Sequence, residues 1–484
     1  MKKIKNKMMN TIQNLTKQVL LLLFVVVSMH TLKAQERPNI IMIMTDDQGW
    51  FDAGFNGNKT IKTPNLDNLA SKGVIFDRFY SASAVCSPTR ASVMTGRNAL
   101  RIEIPVANSG HLKKEEITIA ELVKKEGYAT GHFGKWHLGT LTKNELDANR
   151  GGKAKHFKHF SIPTMHGYDE FFSTESKVPT YDPLIKPTEF KEGESLIYGW
   201  SAVKKGEKSE SYKTSYWVGD EQKTKQNLSG DDTKLIVDKV IPFIHKSVAN
   251  KKPFFTTVWT HTPHLPVVTS DYYKAKYAGF TNKEKLYYGC ITALDDQVGA
   301  LWSELEKLGI TDNTMIWFCS DNGPEEETPG SSGEFRARKR SLYEGGLRTP
   351  AFVVWEGKLK GNKRVDFPAS TSDYLPTIIN LLDIEYPDNR PLDGIDIMPF
   401  IKKPKKQRKK PMGFAYKKRI SWVTNQYKLV SEDLGVTYEL YDLLNDRSEK
   451  NNLIKSMPEL AAKMEKELAA WFVSVNNSKK GNDY

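Results

Sequence analysis

The chain has 484 residues, 39% of them hydrophobic and 27% charged, with a formal net charge of +13. That length and balance suit one large folded domain with a smaller one beside it, and exclude a disordered chain. Three cysteines cannot all pair, and no C-x-x-C spacing supports a zinc framework.

Residues 1–34 carry six lysines and no acid, with an apolar run from Val19 to Val27. Nine residues are too few to span a bilayer as a helix. A basic start, a short apolar core and a small residue at Ala34 read as a secretory signal over 1–34. Its removal implies a periplasmic or secreted protein with no stable membrane insertion, and lowers the formal charge to +7 (13 − 6). A modestly basic exported protein suits polyanions.

Ile40 to Met44 is a continuous apolar run, which predicts a strand covered on both faces. Thr118 to Lys125 has helical spacing and stops before Gly127. Residues 140–230 show weak periodicity and read as surface insertions of the kind that carry specificity. Asp232 to His245 is amphipathic and precedes the strand-like Phe254 to Trp259. Lys283 to Leu308 predicts a long helix, and Met315 to Cys319 and Phe352 to Trp355 two more buried strands. The alternation argues for a mostly parallel α/β sheet in a catalytic domain over 35–402. Cys290 on the helix and Cys319 on the strand are expected as free buried thiols. The basic run from Lys402 to Lys410 lacks the interleaved aromatics of a single-strand nucleic-acid binder and reads as a solvated linker. Beyond it, residues 403–484 predict a small α+β subdomain. Its expected strands lie at 420–423, 427–430 and 438–442, and its final helix runs from Glu459 to Phe472.

The residues that end these strands carry the chemistry. Asp46 and Asp47 follow one strand, His261 and His264 a second, Asp321 and Asn322 a third. Ligands of open α/β sheets bind beyond the carboxyl ends of the strands, so three strands deliver acids and histidines to one edge. Neighbouring carboxylates repel and need a cation between them. Three carboxylates and an amide oxygen make a hard oxygen site, suited to Ca²⁺ or Mg²⁺.

Between these motifs lies Cys86-Ser87-Pro88-Thr89-Arg90, followed by Thr95-Gly96-Arg97, then Gly134-Lys135-Trp136-His137-Leu138-Gly139. Lys339-Arg340-Ser341-Leu342-Tyr343-Glu344-Gly345-Gly346 and a Tyr441-Asp442-Leu443 signature complete the series. In this order the motifs resemble the type I, formylglycine-dependent sulfatases of the alkaline phosphatase superfamily, over about residues 37–450. The resemblance implies an alkaline-phosphatase-like α/β sandwich with a small C-terminal antiparallel sheet. It also implies that Cys86 is oxidised to Cα-formylglycine by a maturation enzyme, for which Pro88 and Arg90 match the recognition pattern. Hydrated formylglycine would attack sulfur through one hydroxyl and release sulfate by collapse of the hemiacetal, splitting one hard hydrolysis into two easier steps. Ca²⁺ would be held by Asp46, Asp47, Asp321, Asn322 and the modified Cys86, and would polarise the sulfate.

By the same resemblance Arg90 holds the hydrated aldehyde, Lys135 and Lys339 bind sulfate, and His137 is the base for the hemiacetal. His264 contacts sulfate and protonates the leaving oxygen. His261 supports the pocket or touches sugar, and Arg338 and Arg340 reach a second anion on the substrate or sit in water. The implied substrate is a sulfated polysaccharide or oligosaccharide, such as an algal ulvan or carrageenan or a glycosaminoglycan. Two other readings share the motifs: a phosphate or phosphonate ester hydrolase, and a glycan-binding protein with an unmatured Cys86. A higher rate on phosphate diesters, or binding without sulfate release, would mark them.

Overall fold

The computed structural model describes residues 1–3, 9, 37–188, 201–226, 228–403 and 407–483. It divides into Met1–Pro38 and a compact unit, Asn39–Tyr484, which is described here. The expected signal lies almost wholly outside the described residues. Among those described, no helix is long and apolar enough to cross a membrane.

A ten-stranded sheet forms the centre. Its order is Lys363–Val365, Val74–Phe76, Ala351–Val354, Thr314–Ser320, Asn39–Thr45, Phe254–Trp259, Ala129–Lys135, Glu170–Thr174, Trp217–Gly219 and Gln222–Lys223. Asn39–Thr45 pairs in parallel with Thr314–Ser320 and with Phe254–Trp259, and Ala129–Lys135 and Glu170–Thr174 continue the parallel run. The mostly parallel α/β expectation therefore holds. Two strands run against the rest: Ala351–Val354, antiparallel to Thr314–Ser320, and Trp217–Gly219, antiparallel to Glu170–Thr174.

Both faces of the sheet are covered, as the unbroken apolar strands demand. Ile40, Met42 and Met44 point into one core with the helices Cys86–Thr95, Ile119–Lys125 and Tyr374–Leu382. Ile41 and Ile43 point into the other, with Pro64–Lys72, Asp232–Ala249 and Asn282–Lys307. This is the two-residue alternation of a strand feeding two cores. The helices begin where the sequence offers caps: Thr118 and Thr281 close capping boxes with Glu121 and Glu284, and the Asp231 side chain accepts from Lys234 N. Cys86, Cys290 and Cys319 are free and buried.

The C-terminal segment forms a four-stranded antiparallel sheet, Met412–Tyr416, Arg419–Val423, Tyr427–Ser431 and Glu439–Asp442. The helix Pro458–Lys479 covers one face. The other face packs Met412, Phe414 and Tyr441 on Tyr80, Leu342 and Tyr343. Lys402, Lys403, Gln407, Lys409 and Lys410 of the basic run are exposed, as a solvated linker would be, and Arg408 departs from that expectation. Residues 404–406 lie outside the described residues, but Arg408 is buried and its guanidinium donates to both carboxylate oxygens of Asp373 at 2.8 and 2.9 Å.

Candidate active site

Four neighbouring parallel strands end on one edge of the sheet, one more than the apolar runs announce. The fourth, Ala129–Lys135, reads Ala-Thr-Gly-His-Phe-Gly-Lys and carries little apolar signal. It nevertheless places Lys135 and His137 beside Asp46 and Asp47, which follow the central strand. His261 and His264 follow Phe254–Trp259, and Asp321 and Asn322 follow Thr314–Ser320.

Cys86 opens the helix Cys86–Thr95, every residue of which is buried. Such a start offers unpaired N–H groups and the positive end of the helix dipole, a setting for an anion. Donor atoms of Asp46, Asp47, Cys86 and His264 lie within 4.8 Å of one another. Around them the cations are paired. Lys135 Nζ donates to Asp46 Oδ2 at 2.5 Å, Arg90 Nη2 to Asp321 Oδ2 at 2.6 Å, and Lys339 Nζ to Asp47 Oδ2 at 2.6 Å. Asn322 Nδ2 donates to Asp47 Oδ1 at 2.6 Å, and His264 Nε2 stands 3.6 Å from Asp47 Oδ2.

Two backbone features hold this arrangement. Asp47 and His137 adopt left-handed φ values of 65° and 58°, a strained choice for residues with a Cβ. At Gly323 a Cβ would stand 2.0 Å from Gly345 O, so only glycine lets the Asp321 loop reach the Glu344-Gly345-Gly346 turn. That turn is anchored in the C-terminal sheet. Lys428 Nζ lies 3.0 Å from both Glu344 Oε1 and Glu449 Oε1, and Glu344 N donates to Glu449 Oε2 at 2.7 Å.

The electrostatics follow from burial among mixed charges. Burial would raise Asp46, but Lys135, His264, Arg90 and Lys339 hold it well below the usual carboxylate range. Burial and repulsion from Asp46 push Asp321 up to about 7. Burial pushes the Cys86 thiol up to about 12, so an unmodified Cys86 is a protonated, weak nucleophile at neutral pH. Burial, then Lys135 and Arg90, keep His137 well below the usual imidazole value and hence neutral.

The donors fit a hard cation. Asp46 Oδ1 and Asn322 Oδ1 are buried oxygens with no hydrogen-bond partner, beside the carboxylates of Asp47 and Asp321. An unpaired buried acceptor is costly, and a divalent cation would satisfy both at once.

Of the residues singled out from sequence, Asp46, Asp47, Cys86, Arg90, Lys135, His264, Asp321, Asn322 and Lys339 meet at this edge. His137 adjoins them, its Nε2 2.8 Å from Asn108 Oδ1. His261 stands behind the pocket: Nδ1 meets Asp232 Oδ2 and Nε2 meets Thr174 Oγ1, both at 2.7 Å, with the ring fully buried. Arg340 is bound through two nitrogens to Glu325, and Arg338 donates to Gly330 O and Thr328 O. Three residues escape a reading by motif. Asn108 sits in a loop without a pattern, and Glu325 lies 3.5 Å from Lys339 Nζ. Lys177 is lowered by burial and then by the charges of Lys135 and Lys339.

Residues 38–384 match the protein family described as sulfatase, and residues 333–473 the one described as N-sulphoglucosamine sulphohydrolase, C-terminal. The chain is 32% identical over 401 residues to the N-acetylgalactosamine-6-sulfatase of Mus musculus, covering 79% of this chain and 69% of that one. Against the Rattus norvegicus enzyme of the same name it is 32% identical over 385 residues, covering 76% and 66%. The chain thus spans about two thirds of the length of these relatives. Among solved structures it resembles Ps i-CgsB in complex with k-i-k-neocarrahexaose, with TM-score 0.77 and 28% identity over 92% of this chain and 94% of that one.

Proposed function

The chain belongs to the sulfatase family of sulfate ester hydrolases, and from that premise we propose that it removes sulfate from a sulfated polysaccharide or oligosaccharide, with Cys86 matured to formylglycine and Ca²⁺ bound beside it. The observation that carries this reading is the convergence on Cys86 of three buried cations and a carboxylate set with two orphaned oxygens. The relatives favour a carbohydrate substrate, since N-acetylgalactosamine-6-sulfatase and the neocarrahexaose complex are named for sugars.

Asp46, Asp47, Asp321 and Asn322, with the modified Cys86, would hold the metal. When present, Ca²⁺ supplies a Lewis acid and hydrated formylglycine a hydroxyl nucleophile. The remaining roles belong to the chain. The first turn of the helix Cys86–Thr95 and the ammonium groups of Lys135 and Lys339 bind the sulfate oxygens. Arg90, tied to Asp321, orients the group at position 86. Neutral His137, held through Nε2 by Asn108, has an unpaired buried Nδ1 suited to accepting a proton. His264 faces the same space; its Nδ1 donates to Leu265 O at 2.6 Å, which fixes the ring and leaves Nε2 for the substrate.

Intact-mass analysis of the Cys86 peptide, paired with sulfate release from a panel of sulfated glycans, tests the reading. A peptide about 18 Da lighter than its cysteine form, with release abolished in Cys86→Ala, is the expected result. An unmodified thiol in a maturation-competent host, or a higher rate on phosphate diesters, would overturn it.

A further inference from the structure

The segments 108–114 and 150–160 hold six lysines and arginines, three histidines and no acid. Lys113 pairs with Glu103 and buried Arg150 with Glu175, which leaves Lys114, Lys153, Lys155 and Lys158 as like charges that repel one another and that an anionic partner would relieve. Both segments flank the strand-like stretch that leaves the Lys135–His137 loop. Leu112 N donates to Leu138 O at 2.7 Å on one side, and Thr140 N donates to His159 O at 2.8 Å on the other. Asn108 touches His137, and two residues further on Gly110 O accepts from Arg150 Nη1 at 2.6 Å. The basic surface is therefore a direct extension of the catalytic pocket.

Its imidazoles are drawn together. His111 Nδ1 and His159 Nδ1 lie 3.2 Å apart, and the His156 ring centroid is 5.9 Å from that of His159. Burial, then Lys113 and Arg150, lower His111, and burial with His111, Arg150 and Lys158 pushes His159 down to about 4. The cluster is thus neutral and sits in a positive field that an arriving anion would relieve. Beside it lies a groove of about 470 Å³, with Lys114, Lys143, Phe157 and Phe160 in its lining and one acid, Asp220, among them. Phe157 is 46% exposed, and Lys143 Nζ stands 4.3 Å from the Phe160 ring centre. An exposed aromatic ring with ammonium groups around it suits a sugar ring with charged substituents.

We propose that these two segments form an anion subsite, which binds a second sulfate or a carboxylate on the sugars flanking the ester being cleaved. The inference rests on the sulfatase reading, and its substrate class is a glycan with more than one charge.

The test uses the full matured chain and the double variant Lys155→Glu/Lys158→Glu, whose side chains are exposed. Lys463→Glu/Lys466→Glu, on the C-terminal helix, makes the same change in net charge and serves as control. Hydrolysis of 4-nitrophenyl sulfate reports the catalytic pocket alone, and competitive inhibition by a heparin-derived hexasaccharide reports the pocket with its surroundings. The expected result is an inhibition constant about five- to tenfold weaker in the Lys155/Lys158 variant, the size of two exposed charge pairs reversed. Turnover of 4-nitrophenyl sulfate should stay unchanged, and the control should match the parent. An unchanged inhibition constant, an equal loss in the control, or an equal loss on 4-nitrophenyl sulfate would each overturn the inference. If the parent turns over no sulfate ester, the sulfatase reading fails instead. Calorimetric binding of the hexasaccharide then still compares the two proteins, and equal affinities would overturn the subsite.

Discussion

Replacing Lys428 by Met leaves the carboxylates of Glu344 and Glu449 buried with one cation removed. In the native protein Lys428 Nζ lies 3.0 Å from an oxygen of each, and all three side chains are fully buried. Removing one partner of a buried ion pair costs about 3–5 kcal/mol. Two features put this case near the lower end. Arg348 Nη1 remains 3.1 Å from Glu344 Oε2, and burial already pushes Glu449 up to about 7, so it can take a proton. The unit Asn39–Tyr484 has 446 residues (484 − 38). At about 2.1 cal/mol/K per residue its unfolding entropy is about 0.9 kcal/mol/K, so a loss of about 3 kcal/mol lowers Tm by about 3 °C. Differential scanning calorimetry at pH 8 would read this directly. Losing Lys428 raises Glu449 further, so the variant takes up its proton at a higher pH than the native protein, and the loss should grow as pH rises from about 7 to about 9. Lys428→Met/Glu449→Gln keeps an acceptor for Glu344 N and removes the second charge, and should recover more than half of the loss. A drop under 1 °C, no recovery in the double variant, or no dependence on pH would refute the reasoning.

The remaining expectations concern the site and one buried acid. Ca²⁺ at a hundred times its dissociation constant should stabilise the protein by about 2.7 kcal/mol, near 3 °C in the same calorimetric scan, and Asp46→Asn/Asp47→Asn should abolish the shift. Asn108→Ala frees His137 Nε2 and should lower kcat about tenfold with little change in KM, because the base is misdirected while sulfate binding remains; equal changes in both would contradict this. Asp52 is pushed up to about 7 by burial, against hydrogen bonds from Tyr287, Ser331 and Gly49. Its folded value exceeds its unfolded one, so its contribution to stability is intact below about pH 4 and is lost as pH rises through 7. Asp52→Asn should flatten that part of the stability profile in denaturant titrations.

The central sheet was readable wherever strands are buried on both faces, because Ile40 to Met44 and Met315 to Cys319 admit no polar residue. Ala129–Lys135 was not, since its glycines and Thr130 and His132 lower its hydropathy while neighbouring strands supply the pairing. Ala351–Val354 was visible as a strand, but its antiparallel direction depends on the chain reversal after Gly345-Gly346. The residues that gather at the site were legible because acids and histidines stood at strand ends. Their supports were less so: Asn108 and Glu325 reach His137 and Lys339 through loops whose course no local pattern dictates. Arg408 misled for a related reason, its basic neighbours hiding a residue paired with a distant Asp373.

The helix that Cys86 opens has no surface residue, and Cys86 itself is 2% exposed. A second protein that must grip Cys86, Pro88 and Arg90 has nothing to hold once the chain has closed around them. On the reading proposed above, maturation at Cys86 would belong to the life of the unfolded chain, in competition with collapse of the sheet over this helix. Overproduction that outruns the maturation enzyme should yield a correctly folded but permanently inert fraction. Adding the enzyme to purified protein would not rescue that fraction, whereas unfolding it in the enzyme's presence and then refolding would.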